Sequence, residues 1–457
     1  MKTVIRFFLL LALALAGSAR GGALEDYVHK DDGHFGWAVR QQGARPEGVY
    51  SLLELTSQVW RTAAEVSPCV WRHWLEVYIP AQVDHETALL EIAGGDQPGQ
   101  PPGMPDGGLG GLAVRTHAVT ARIHNVPNQP LSFSRETPPH PRREDQILAF
   151  AWARSLETRD PTDLAHLAMV KSVVRAMDAV TQYCAATSAP VRVRHFVLTG
   201  ASKRGWTTWL AAAADPRVAG IAPRVIDLLH MEPSFRHHFD AYGRYADAVH
   251  DYVQNGILAR MGRPESEASL AILDPWSHRE RLTMPKLIVN STGDQFFLPD
   301  SWRFYWEDLK GPKWLRYVPN TDHGLNGSAN ETVESFFRCL LAGTNLPAFA
   351  WHETGPGRLR VEAGATAPLR VLAWRAVNPS ARDFRLQTIG PAWASEEVRP
   401  AAPGVYEAAA ETPAKGWAAL LLELQFPDPL GDARPLILTT GVSVTPDTYP
   451  RAPPSSP

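Results

Sequence analysis

The sequence predicts an α/β fold on a mostly parallel central sheet, followed by a smaller all-β region. Three observations carry this reading. Apolar runs suited to buried strands alternate with helical patterns up to about residue 345. Beyond that point, short strand-like runs separated by turn residues replace the helical patterns. The chain has 457 residues, 44% hydrophobic and 20% charged, which is enough for more than one domain and a large core.

The elements follow in order. YSLLELTSQVW from Tyr50 and WRHWLEVYI from Trp71 read as strands, with alternation and β-branched or aromatic content. TALLEIAGG from Thr87 is a short apolar run closed by Gly94 and Gly95. The Pro/Gly-rich stretch 96–111 reads as loop, and LAVRTHAVTARIHNVP after it as strand-like. A helix is expected over 144–153. A second carries Met169, Val170, Val173, Val174, Met177 and Val180 on one face. VRVRHFVLTG is a buried parallel strand, and WTTWLAAAA a helix that stops near Asp215 and Pro216. VAGIAPRVID is the next strand. Residues 230–280 are polar and aromatic-rich and read as an insertion over the core. Strands at 285–290 and in KWLRYV, with helices at 301–309 and 331–341, complete the α/β part. The boundary falls near 344–347, giving an α/β domain over 20–345 and a β-sandwich-like domain over 346–450. The tail 451–457 reads as disordered.

At the N-terminus, Lys2 and Arg6 precede an apolar run at 7–16 and small residues at 17–19. This is the pattern of a secretory signal over residues 1–19, cut after Ala19, with Ala16 or Ala23 as alternatives. An exported chain with no stable membrane insertion after cleavage is expected. The formal charge of −3 gives no electrostatic basis for nucleic-acid binding. Cys69, Cys184 and Cys339 permit at most one internal disulfide, and no Cys/His spacing suggests a metal. No cofactor is implied. The 15 tryptophans are read first as packing and second as an aromatic cleft lining.

The chemistry is expected at FVLTGASKRGWTTWL. A strand, then Gly200-Ala201-Ser202, then a helix places a serine on a tight turn with its hydroxyl pushed outward. The second glycine, Gly205, comes one residue later than in G-x-S-x-G. The N–H of Lys203, at a helix N-terminus, suits an oxyanion donor. Gly94 and Gly95 offer the second donor, because glycine permits close backbone approach. A serine needs a base, and the base needs a carboxylate. Asp294 follows the strand at 285–290, and His323 follows KWLRYV, in the order Ser, Asp, His. Asp300 is read as a cap of the helix at 301, and Asp322 as a turn residue. Lys203 and Arg204 are candidates for an anionic substrate group, or are solvated on the first helical turn.

TGASKRGWTTWLAAAADPRV, STGDQFFLPDSWRFYWEDLKGPKWLRYVPNTDHGL, MVKSVVRAMDAV, NVPNQPLSF, LTSQVW and RDFR (382–385) together resemble the PhoPQ-activated pathogenicity-related protein family. The resemblance implies an α/β-hydrolase core with a C-terminal β domain. It maps the nucleophile to Ser202, the acid to Asp294 and the base to His323. Locally, G-x-S-[K/R]-x-G is also similar to the elbow of glucuronoyl esterases, where the cation after the serine, here Lys203, lies near the reacting carbonyl. The expectation is an exported serine hydrolase acting on a small-molecule, carbohydrate-ester or peptide substrate. The alternatives are a peptidase for short peptides and a non-catalytic binding or signalling protein on the same scaffold.

Overall fold

The computed structural model describes residues 22–96, 101, 108–134, 136 and 138–450. The expected signal segment and the tail 451–457 lie outside the described residues. Nine strands build the first part of one sheet. They are β1 Gly36–Arg45, β2 Gly48–Val59, β3 Val70–Pro80, β4 Thr87–Ile92, β5 Thr120–Ile123, β6 His195–Ala201, β7 Val218–Arg224, β8 Lys286–Ser291 and β9 Lys313–Val318. Their order is β1-β2-β3-β5-β4-β6-β7-β8-β9. Pairing is antiparallel from β1 to β5 and parallel from β5 to β9.

The pleat explains why the parallel strands are apolar throughout. Successive side chains point to opposite faces, and here both faces are covered. Phe196 and Leu198 of β6 enter one core, and Val197 between them enters the other. Helices Asp145–Thr158, Ala165–Ala186 and Lys203–Ala214 cover the first face. Helices Gly108–Thr116 and Gly327–Leu341 cover the second. Residues 230–280 fold as short helices, chiefly Met231–Tyr242 and Pro264–Leu273.

Two local expectations are corrected. Residues 108–116 are helical, not loop and strand, because Leu109, Leu112 and Ala113 gain a buried face that outweighs their glycine neighbours. The helix at 301–309 is only a 3₁₀ turn, Ser301–Phe304, and Asp300 makes no side-chain cap bond to it. Asp300 is instead fully buried and accepts hydrogen bonds from Arg382 and His237.

The C-terminal region is β-rich, as expected, and it continues the central sheet. Its strands are β10 Phe349–Gly355, β11 Arg358–Ala363, β12 Arg370–Asn378, β13 Ala394–Glu397, β14 Val405–Ala409, β15 Trp417–Phe426, β16 Leu436–Thr439 and β17 Ser443–Thr445. The sheet runs on from β9 as β16-β15-β12-β13, with β17 also on β15. Strands β10, β11 and β14 form a second sheet whose Leu359 and Val361 share a core with Leu420 and Leu422. The joint is narrow but bonded. Leu315 pairs with Thr439, the Tyr317 N–H donates to Thr439 Oγ1 at 2.8 Å, and Arg316 pairs with Glu423 at 3.1 Å.

Candidate active site

The site lies at the carboxyl ends of the parallel strands, where the chain turns from strand to helix or loop. Ser202 follows β6 and has φ 57° and ψ −128°, a region costly for any residue but glycine. Its N–H donates to the Arg224 carbonyl at 2.8 Å, and its own carbonyl accepts from Trp206 N–H at 2.9 Å. The turn is therefore held from both the next strand and the helix that follows. That helix, Lys203–Ala214, presents first-turn N–H groups with no intrahelical acceptor.

Asp294 follows β8 and His323 follows β9. The imidazole Nδ1 lies 2.9 and 2.8 Å from the two Asp294 oxygens. Asp294 is buried and also accepts from the Phe296 N–H at 2.7 Å. The His323 N–H donates to Gln295 Oε1 at 2.9 Å, which fixes the loop from behind. With Nδ1 committed to the carboxylate, Nε2 is the free edge. It is buried and has no hydrogen-bond partner in the protein. The imidazole packs on Phe296 and Phe297, with ring centroids 4.4 and 6.1 Å away.

Those two phenylalanines line a cavity of about 30 Å³ with Ser202. Trp152, Trp206, Phe235 and Tyr252 complete an aromatic wall, and Lys203 and Asp145 supply its polar part. Phe235, Val249 and Tyr252 belong to the 230–280 insertion, so that segment forms part of the cavity wall.

The two cations after Ser202 are already paired. Lys203 is buried, with its ammonium 2.8 Å from Glu144 and 3.1 Å from Asp145. Arg204 makes a fork to both Glu144 oxygens at 2.7 and 2.6 Å and donates to the Val126 carbonyl at 2.6 Å. A Cβ on Gly94 would sit 2.7 Å from the Arg204 guanidinium, so this glycine lies directly against the first turn of the serine helix. Gly95 beside it has φ 123°, which other residues rarely adopt.

Sequence reasoning missed Glu144. It has φ 51° and ψ −127°, nearly the backbone of Ser202, at the start of Asp145–Thr158. Burial pushes its carboxyl up, but hydrogen bonds from Arg204 and the charge of Lys203 outweigh this and hold it at about 2. A visible signal was an acidic pair, Glu144 and Asp145, at a helix N-terminus. Also missed was Asp227, just after β7. It accepts from the hydroxyls of Tyr305 and Tyr317, and burial raises its carboxyl to about 8.

Strand order, a strained serine after β6, and a bonded Asp–His pair after β8 and β9 define an α/β-hydrolase scaffold. The chain belongs to the PhoPQ-activated pathogenicity-related protein family, whose profile it matches over residues 24–385. It is 34% identical to autocrine proliferation repressor protein A of Dictyostelium discoideum, over 97% of this chain and 94% of that one. Among solved structures it is similar to acetyl xylan esterase 1 from Thermoanaerobacterium, with 13% identity, TM-score 0.49, and coverage of 69% of this chain and 93% of that one. It is also similar to a glucuronoyl esterase from Solibacter usitatus, with 12% identity, TM-score 0.39, and coverage of 67% and 86%. Among the described residues, no helix is long and apolar enough to cross a membrane.

Proposed function

We propose that the chain is an exported serine esterase that removes a short acyl group by acyl transfer. The observation that carries this is the strained Ser202 in one cavity wall with the aromatic pair that packs on His323. Ser202 Oγ attacks the carbonyl carbon, and His323 Nε2 takes the hydroxyl proton. Asp294 fixes the Nδ1–H tautomer and stabilises the imidazolium. The oxyanion is held by the Lys203 N–H and by an N–H from Gly94 or Gly95. His323 returns the proton to the leaving oxygen, and water then repeats the sequence on the acyl-enzyme. Lys203, paired with Glu144 and Asp145, shapes the wall beside the serine, and Arg204 is taken up by Glu144, so neither cation meets a substrate anion. Export rests on the N-terminal sequence pattern.

The acyl length follows from the cavity. A volume of about 30 Å³ is room for roughly two waters. So small a cavity favours an acetyl-sized group over a long chain.

The test is turnover on p-nitrophenyl acetate, butyrate and octanoate, and on peptidyl amides, each run beside Ser202→Ala. Acetate hydrolysis is expected to be fastest and to fall on the order of 10³-fold or more in the mutant. Hydrolysis of amides alone would shift the assignment to a peptidase. Silence on every substrate, with no labelling by a fluorophosphonate, would make the chain a binding protein on this scaffold.

A further inference from the structure

Two loops carry the acid and the base, and both are gripped by one stretch of the C-terminal region. Gly293, next to Asp294, accepts at its carbonyl from the Leu386 N–H at 3.0 Å. A Cβ on Gly293 would sit 2.8 Å from Leu386 N and 2.7 Å from the Thr321 carbonyl, so the contact leaves no space. The same loop is held at its far end. Asp300 is fully buried and pairs with Arg382 at 2.5 Å, and also accepts from His237 of helix Met231–Tyr242 at 2.9 Å. Phe296 and Phe297, which face the cavity, lie between these two anchor points.

The histidine loop is gripped three residues before His323. The Asn320 side chain donates to the Trp393 carbonyl at 2.8 Å and accepts from the Trp393 N–H at 2.9 Å. This is a reciprocal pair between one side chain and one backbone unit. Asn320 has φ 56°, a backbone state that asparagine tolerates better than most residues.

We propose that residues 382–393 are a positioning element for the acid–base pair, with Asn320 and Arg382 as its principal positioning residues. The inference rests on reading Asp294 and His323 as acid and base. It gives the C-terminal region a role within the site: its strands continue β9, the strand that ends at the histidine loop, and its 382–393 segment fixes the loops on either side. Neither residue touches the reacting atoms. Each acts through the loop it holds.

The experiment uses the full chain labelled with 15N-histidine. The readouts are the downfield Nδ1–H resonance of His323, assigned by its loss in His323→Gln, and kcat and KM on p-nitrophenyl acetate. Asn320→Gly removes both bonds to Trp393 and keeps a residue that accepts φ 56°. The resonance is expected to broaden or vanish. kcat should fall roughly 10- to 100-fold with KM little changed, as for a displaced catalytic group. Asn320→Asp retains the acceptor for Trp393 N–H and should lie between wild type and Asn320→Gly. It also carries the test if the glycine variant does not fold. Leu422→Ala, in the C-terminal core and with an apolar side chain that makes no hydrogen bond to either loop, should lower Tm without altering the resonance or kcat. An unchanged resonance and kcat in Asn320→Gly would overturn the inference. So would equal losses in Leu422→Ala. If wild type turns over no ester, the resonance alone decides the positioning claim, and the esterase reading fails separately.

Discussion

Ser202 holds a backbone conformation that costs about 1–3 kcal/mol in a non-glycine residue, so its neighbours must over-determine it. The two flanking glycines show how. A Cβ on Gly200 would lie 2.6 Å from the Arg204 carbonyl oxygen. One on Gly205 would lie 2.9 Å from the Arg224 oxygen and from Ile226 Cγ2, and 3.0 Å from the Gly200 oxygen. Gly205 is thus the point where the serine helix presses on β6 and on the end of β7. That is why a glycine three residues after the serine serves where the sequence pattern suggested two. Gly205→Ala is expected to destabilise the protein by about 1–3 kcal/mol through overpacking and to slow fluorophosphonate labelling. Unchanged Tm and labelling would show that the helix can shift away freely. The serine, the aspartate and the histidine were legible as candidates because each follows a predicted strand. Glu144 was not, because its partners Lys203 and Arg204 lie on the first turn of a helix distant in sequence.

Between elements, Glu144 joins the start of Asp145–Thr158 to the start of Lys203–Ala214, and through Arg204 to Gly94. Two cations at a helix N-terminus oppose its dipole, and Glu144 offsets them. Its side chain is 38% exposed, so solvent screening discounts the pair to about 1 kcal/mol. The sign with pH is definite. A folded carboxyl held at about 2, against 4.5 for the free group, contributes stability above 4.5 that is lost as pH falls towards 2. Glu144→Gln should therefore be less stable than wild type at pH 6 and approach it by pH 2.5, read as the difference in Tm across that range. A difference that stays constant would mean the carboxylate charge contributes nothing. Among elements, the long helix Ala165–Ala186 was legible from its apolar period, although it is buried on nearly every side. The helix Gly108–Thr116 was hidden by its glycines, since its stability comes from packing on the sheet and not from propensity.

For the whole molecule, the alternation of strands and helices gave the α/β class, while the join between β9 and β16 is one short ladder pair backed by the Tyr317–Thr439 and Arg316–Glu423 bonds, long-range contacts that no local pattern encodes. The large double-faced core also buries titratable groups, and their pH effects oppose one another. Burial lowers His73 to about 4 and His166 to about 3. His166 sits 4.2 Å from the Trp206 ring with both nitrogens unpartnered, so it is held neutral. Below about pH 6.5 the unfolded chain binds protons that these native histidines refuse, and stability falls as pH falls. Asp227 acts the other way. Its native carboxyl, raised to about 8 by burial, stays protonated where the unfolded one is ionised, so it lowers stability as pH rises from about 4 to 8. Each group contributes a slope of about 1.4 kcal/mol per pH unit within its window. Relative to wild type, His166→Phe should gain stability as pH drops from 6.5 to 5, and Asp227→Asn should gain it as pH climbs from 5 to 8. Urea unfolding at pH 5, 6.5 and 8 reads both differences. Opposite slopes are expected, and two flat differences would mean that water reaches these groups in the folded protein.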